Sequence, residues 1–225
     1  MTPLSARPGV AGQAGFSMIE LLIAMLITTV VLGGAVSVVA GAQNTYRHQL
    51  DDVTVEQEGR FALDFIRNAI EPAGSNAYAV TVTQCPSANT LVQGIRMNPD
   101  GVNGNDDIRI MADVGIPDGL IVGAAGCTTA NSQANEDVTI ARSGGASAGA
   151  ITRYDRGTDA GPVAWTDTVF TSLLFEYFDG NMVTTASAGS IRVVRVTLTG
   201  QSRKVGDTGA AATFTLTTDV RLRAQ

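Results

Sequence analysis

The chain has 225 residues, 44% of them apolar and 16% charged, with a formal net charge of −6 and an isoelectric point of about 4.7. Lys204 is its single lysine and no basic stripe runs through it, so the electrostatic attraction that nucleic-acid binding draws on is missing. With the first 15 residues, the apolar run after them and the helix that follows set aside, about 150 residues remain, enough for one domain with its own core.

The first 15 residues, MTPLSARPGVAGQAG, hold one basic side chain, Arg7. Residues 15–42 then read GFSMIELLIAMLITTVVLGGAVSVVAGA. Leu21 to Ala42 are 22 residues without a charge, and about 20 suffice to cross a bilayer. Glu20 stands at the head of this run. An ionisable group in a spanning segment costs on the order of 3 kcal/mol at the centre and by default marks a function. Glu20 lies only four residues past Phe16, roughly 6 Å of helix rise, which keeps the interface within its reach. Two plainer readings compete. A secretory signal peptide cut at Ala40-Gly41-Ala42 has small residues in the right place, but the run exceeds the usual length of about 7–15 residues. An ordinary single-span anchor leaves the Gly-Phe-x-x-x-Glu pattern as coincidence. Arg7 and Arg47 nearly balance under the positive-inside rule, so charge does not orient the segment.

Helical periodicity continues past the apolar run. Tyr46, Leu50, Val53, Phe61, Phe65 and Ala69 fall at steps of three, four or multiples thereof and predict one apolar stripe, interrupted at Gln57, that docks on a globular head. Arg47, Asp51, Asp52, Glu56, Glu58, Arg60, Asp64 and Arg67 occupy the other faces, and Pro72 and Gly74 stop the helix. Residues 16–71 thus read as one helix, roughly 80 Å long, apolar all round in its first half and amphipathic in its second. Gly33, Gly34 and Gly41 weaken the first half. After Gly74 short runs of Val, Ile, Thr and Arg alternate between clusters of Gly, Asn, Asp and Ser. They predict strands at Leu91–Met97, Asp107–Ala112, Asp137–Arg142, Ala150–Tyr154, Ser172–Phe178, Ile191–Thr199 and Ala212–Arg223, with small-residue loops at Ser143–Gly149 and Thr184–Gly189. The alternation in Ile191–Thr199 and Phe214–Leu222 suits an antiparallel sheet with one covered face. The class expected is α+β, one long helix laid across an antiparallel sheet, with residues 75–225 as the head.

The N-terminal arrangement resembles that of type IV prepilins: a leader ending at Gly15, Phe16 as the first mature residue and Glu20 at the fifth mature position. The resemblance implies that a prepilin peptidase cuts between Gly15 and Phe16 on the cytoplasmic side and methylates the new amine. It also implies that the apolar segment (about residues 16–42) holds the subunit in the inner membrane, head in the periplasm, before the subunit joins a filament at the cell surface. There Glu20 would face the amino terminus of a neighbouring subunit, since a carboxylate in a dry helical core needs a cation beside it. Gln13-Ala14 precede Gly15 where many family members have Lys or Arg.

A second resemblance narrows the family. EQEGRFALDFIRNAIEPAGS, residues 56–75, is similar to the corresponding region of PilW-like minor pilins, with Tyr46-Arg47 ahead of it as in those proteins. NDDIRIMAD, SLLFEYFDGNM and IRVVRVTLTGQS agree loosely. The implied function is a minor pilin that takes part in priming or assembling a type IV pilus, at its tip in one version. The implied partners are the prepilin peptidase and other minor and major pilins. The J-type minor pseudopilin of type II secretion shares this layout and is the alternative; a membrane-tethered periplasmic binding module is a third. Cys85 and Cys127 both follow the apolar run, and on the periplasmic side such a pair reads as a disulfide, with free buried thiols the alternative.

No catalytic set is legible, and neither an enzyme nor a cofactor is expected. His48 is the one histidine, read as exposed on the helix; no phosphate-binding Gly-rich loop, nucleophile elbow or Cys-x-x-Cys occurs. NPDGVNGNDD, residues 98–107, is the one segment resembling a ligand site. Asp100, Asn103, Asn105, Asp106 and Asp107 could offer oxygens to Ca²⁺, which takes six to eight. Counted from Asn103, however, Ile108 stands where an EF-hand needs Gly. Asp-Gly and Asn-Gly are turn signals in their own right, so a hairpin turn is preferred and no metal is expected.

Overall fold

A computed structural model describes residues 15–75, 83–84, 94–102, 104–114, 120–121, 134–144, 149–205 and 211–223, with backbone only at 83–84, 120–121 and 204–205. Helix α1 runs from Met18 to Ile70. Among the described residues ten strands follow: β1 (Thr83–Gln84), β2 (Ile95–Met97), β3 (Asp107–Met111), β4 (Leu120–Ile121), β5 (Asp137–Arg142), β6 (Ile151–Asp155), β7 (Val163–Ala164), β8 (Phe170–Phe178), β9 (Val193–Val205) and β10 (Ala211–Arg221). One long helix followed by antiparallel sheets is the α+β class expected from the helical and strand patterning. The head differs from a single sheet: it holds a five-stranded sheet in the order β2-β3-β5-β6-β7, a three-stranded sheet in the order β10-β9-β8, and a two-residue parallel ladder of β1 on β4. The chain divides into two compact units, residues 1–47 and 48–225.

In the second unit α1 seals the core. Val55, Gly59, Ala62, Leu63, Ile66 and Ile70 are its buried residues. They cluster with Ile95, Ile108, Ile110, Val138 and Ile140 from one sheet and Leu173, Phe175, Val194, Val196 and Leu198 from the other. This is not the stripe expected from the sequence. Tyr46, Leu50, Val53 and Phe61 are exposed, Phe61 by 61%, and only Phe65 and Ala69 lean on the core. The reason is geometric: each step of four overshoots a helical turn by about 40°. A row read in fours therefore drifts around the helix, and its later members approach the buried face while its earlier ones point away.

Two glycines explain how close α1 comes to the three-stranded sheet. A methyl at Gly59 would stand 2.9 Å from Phe214 Cε2 and 3.0 Å from Leu216 Cδ1, and one at Gly200 would stand 2.2 Å from Phe214 Cζ. The Phe214 ring is thus held between a helix glycine and a strand glycine, and Phe170 meets it edge-on at 6.4 Å between centroids. Beyond Ile70 the chain turns: the Ala73 amide donates to the Ile70 carbonyl at 2.9 Å, and Gly74 adopts φ 78°.

In the three-stranded sheet alternate residues separate cleanly. Leu173, Phe175 and Tyr177 lie opposite Leu198, Val196 and Val194 on the covered face. The other face carries Thr197 against Thr217 and Thr199 against Thr215, hydroxyl to hydroxyl at 3.3 and 3.2 Å. The same face carries Arg195 forked on Asp219 at 2.7 and 3.0 Å, and that bond holds the Asp219 carboxyl below the usual carboxylate range. In the five-stranded sheet, the buried carboxylates of Asp137 and Asp155 have cationic partners. Arg109 forks onto Asp137 at 2.7 and 2.5 Å, with Arg156 3.1 Å away. Asp155 takes Arg153 at 2.5 Å and the amides of Asn135 and Gly157 at 2.7 and 3.0 Å. A buried charge left alone would cost several kcal/mol.

Candidate functional site

The first unit is almost entirely helix surface. Gly15, Phe16 and Ser17 precede α1 in open chain, and Phe16 is 84% exposed. The Leu21 amide donates to the Ser17 carbonyl at 3.2 Å, closing the first turn. Glu20 sits in that turn, exposed, where the helix dipole favours a negative charge. Among the described residues it makes no ion pair.

From Leu21 to Arg47 every residue of the helix is exposed. Leu22, Leu26, Val30, Leu32, Val36 and Val38 are all more than half exposed, and nothing lies within 4 Å of a methyl built on Gly33, Gly34 or Gly41. Thr28 and Thr29 donate their hydroxyls to the Ala24 and Met25 carbonyls at 2.7 and 2.8 Å, which settles their polarity without water. The helix is long and apolar enough to cross a membrane. Such a surface exceeds what a protein in water leaves uncovered; it belongs in lipid or against other helices.

In the second unit, α1 has a further uncovered side. Leu50, Val53 and Phe61 are 48%, 52% and 61% exposed. They lie within about 80° of one another around the helix and roughly opposite Val55, Gly59 and Ile66. The helix therefore has two apolar faces, one against the sheets and one outward. His48 is half-buried rather than exposed.

Residues 98–102 and 104–106 turn the chain between β2 and β3. Asn98, Gly101 and Gly104 have φ 41°, 73° and 79°. The Val102 amide donates to Asp100 Oδ1 at 2.7 Å, the Asp100 amide to Asp107 Oδ2 at 3.3 Å, and the Phe175 amide to the Asn105 carbonyl at 2.8 Å. Asn103 lies outside the described residues, and among those described no group of three His, Cys, Asp or Glu side chains is placed to hold a metal. Burial, with the Asp100 charge next, pushes the Asp107 carboxyl up to about 6. Burial also raises Asp106, and it raises Tyr177 with a further push from the Asp107 charge. Sequence reasoning found Asp107 as a turn residue but not Tyr177 beside it, because 70 residues separate them and no periodicity links them.

Cys85 and Cys127 lie outside the described residues. A two-residue parallel ladder pairs Thr83 with Leu120 and Gln84 with Ile121. A cavity of about 310 Å³ is lined by Phe65, Ala69, Val138 and Arg153 among others. Arg153 is engaged with Asp155, Asp159 and Asn135.

Residues 11–36 match the model of the prokaryotic N-terminal methylation motif. No curated protein and no solved structure matches the chain. The match spans Gly15, Phe16, Glu20 and the apolar helix after them, so the N-terminus carries a type IV pilin-like prepilin signal.

Proposed function

We propose that this chain is a minor pilin, similar to PilW-like proteins, that takes part in priming or assembling a type IV pilus and has no catalytic role. The observation that carries the reading is the methylation motif on a helix whose apolar surface is uncovered from Leu21 to Val39. Gly15 and Phe16 stand in open chain before the helix, accessible to a peptidase. Glu20 is exposed and unpaired, free to meet the N-terminal amine of a neighbouring subunit in an apolar filament core. The outward side of α1 at Leu50, Val53 and Phe61 supports the reading too, because a helix that has already satisfied its head keeps a second face for neighbours.

The test is intact-mass analysis of membrane-purified protein with crosslinking to co-expressed partners. The expected mature chain begins at Phe16, carries one added methyl and crosslinks to pilus subunits. A mature chain beginning after Ala42 refutes the pilin reading. Crosslinks confined to secretion pseudopilins transfer the subunit to a type II secretion system, whose J-type component has the same general layout.

A further inference from the structure

The head treats its sheet edges differently. The five-stranded sheet ends in β2 and β7, strands of 3 and 2 residues, and edges that short offer little to pair with. In the three-stranded sheet β8 is one edge, and other parts of the head cover it. The Phe170 and Phe175 amides donate to the Gly149 and Asn105 carbonyls at 2.9 and 2.8 Å, and the Thr185 amide donates to the Tyr177 carbonyl at 2.9 Å. β10 is the opposite edge and, at 11 residues, a long one.

The register shows which β10 groups point away from β9. Arg221 lies opposite Val193, and the Leu222 amide donates to the Arg192 carbonyl at 3.0 Å. Arg221 and Val193 are therefore a non-bonded pair of the antiparallel ladder, and alternation turns the N–H and C=O groups of Thr213, Thr215, Thr217, Asp219 and Arg221 outward. The far end of β9 agrees: the Gln201 amide reaches the Val169 carbonyl, on the β8 side, at 2.8 Å. Just past β10 the outward Arg223 amide is taken by the Glu71 carbonyl at 3.0 Å. From Thr213 to Arg221 the outward backbone groups have no hydrogen-bond partner among the described residues, and all five residues that carry them are exposed. β10 holds no proline and no lysine, and its one register shift lies at its start, between Ala211 and Thr213, so little blunts this edge.

The covered face is unfinished at the same edge. Val194, Val196 and Leu198 of the central strand are 0% exposed, whereas Phe214 and Leu216 of β10 are only half-buried. A recess of about 280 Å³ opens beside Leu216, lined also by Thr217, Thr218 and by Arg60, Leu63 and Asp64 of α1. The two ends of the edge carry opposite charges. Exposed Asp52 lines a hollow with Ala212, Thr213 and Phe214 at the start of β10, and exposed Arg221 stands at its end. Neither makes an ion pair among the described residues. These features specify an occupant: an extended chain, apolar toward α1 and threonine-like toward the open face, with an acid beside Arg221 and a base beside Asp52. Antiparallel pairing, the more stable arrangement per residue, puts the acid first and the base last. A second β10 also carries threonines and an arginine, but α1 runs the same way as β10, from Asp52 beside Ala212 to Glu71 beside Arg223. Two such edges paired antiparallel would set their helices head to tail, which anchoring of both N-termini in one bilayer opposes.

We propose that β10 is a docking edge: it takes an extended strand of that chemistry from another protein by antiparallel main-chain pairing and so adds a fourth strand to the sheet. The docking edge needs no filament and stands apart from that reading.

The experiment titrates the full chain in detergent micelles with a labelled, end-blocked peptide long enough to face Ala212 to Arg221. Glutamate comes first and lysine last, and valine and threonine alternate between them so that a valine faces Leu216. Without peptide, the Thr215 and Thr217 amides should exchange freely while those of Phe214 and Leu216 are protected. At saturation Thr215 and Thr217 should gain at least about tenfold protection. Thr217→Pro removes an outward N–H and no bond to β9, so it should weaken binding at least about tenfold. N-methylating the peptide residues that bond to β10 tests the same point on the unaltered chain, which keeps the proposal refutable if Thr217→Pro does not fold. Absence of saturable binding up to about 1 mM overturns the docking edge. So does binding indifferent to methylation or to exchange of the two end charges. Protection of Thr215 and Thr217 that grows with the chain's own concentration, without peptide, also overturns it and gives the edge to a second copy.

Discussion

Gly59→Ala is a sharp test of how α1 is seated. On an exposed helical surface, replacing Gly by Ala gains up to about 1 kcal/mol. At Gly59 the added methyl meets Phe214 Cε2 at 2.9 Å and Leu216 Cδ1 at 3.0 Å. Side chains can often give way, but Phe214 cannot easily retreat. Its ring already occupies the space over Gly200, where a methyl would lie 2.2 Å from Cζ. Overpacking of this kind costs roughly 1–3 kcal/mol, so the steric cost outweighs the propensity gain and a net loss of about 1–2 kcal/mol is expected. The assay is denaturant unfolding followed by Trp165 fluorescence. Trp165 is the only tryptophan, and its ring touches Phe65 of α1 at 3.4 Å between centroids. In a Phe214→Leu background the same glycine substitution should become neutral or stabilising, a coupling of at least about 1 kcal/mol between the two sites. Gly59→Ala as stable as the native chain, or an equal loss in both backgrounds, would show that the helix is not seated on Phe214.

Glu20→Ala should leave membrane insertion and leader cleavage near normal while lowering incorporation into filaments by roughly two orders of magnitude or more, the consequence of about 3–5 kcal/mol for a buried cation that loses its partner. Comparing processed protein in membranes with protein in sheared filaments checks it, and undiminished incorporation refutes the pairing. Cys85 and Cys127 should be joined, closing a loop of about 43 residues and adding roughly 4 kcal/mol in the chain-entropy model; non-reducing peptide mapping that recovers two free thiols refutes the bridge.

The sequence was most legible where a single physical demand sets every residue. A bilayer requires an unbroken apolar surface, so the first half of α1 could be read directly from Leu21 to Ala42. One covered sheet face requires alternation, so Asp137–Arg142 matches β5 end to end, and the strands read at Ser172–Phe178 and Ala212–Arg223 lie within two residues of β8 and β10. It was least legible where two demands overlap. The second half of α1 carries apolar residues on opposite sides, and a reading that seeks one stripe joins Leu50 and Phe61 to Phe65 although they face different ways. Strands of two residues, β1, β4 and β7, are too short for any periodicity to register. The Phe214 slot is written in Gly59 and Gly200, whose meaning depends on a partner over 150 residues away in one case and 14 in the other. Asp107 and Tyr177 likewise acquire their chemistry only when the sheets close over them.

The threonine rows on the open face of the three-stranded sheet bear on how this acidic, nearly lysine-free head stays in solution. Strands need β-branched residues for their backbone, and water needs something to bind; threonine is the side chain that meets both at once. Thr197, Thr199, Thr215 and Thr217 hydrate through neutral hydroxyls, whereas charged surfaces repel one another through fields that salt shortens to about 8 Å at physiological strength. Colloidal behaviour built on hydroxyls is indifferent to ionic strength. A sheet face made this way keeps its hydration at low and at high ionic strength.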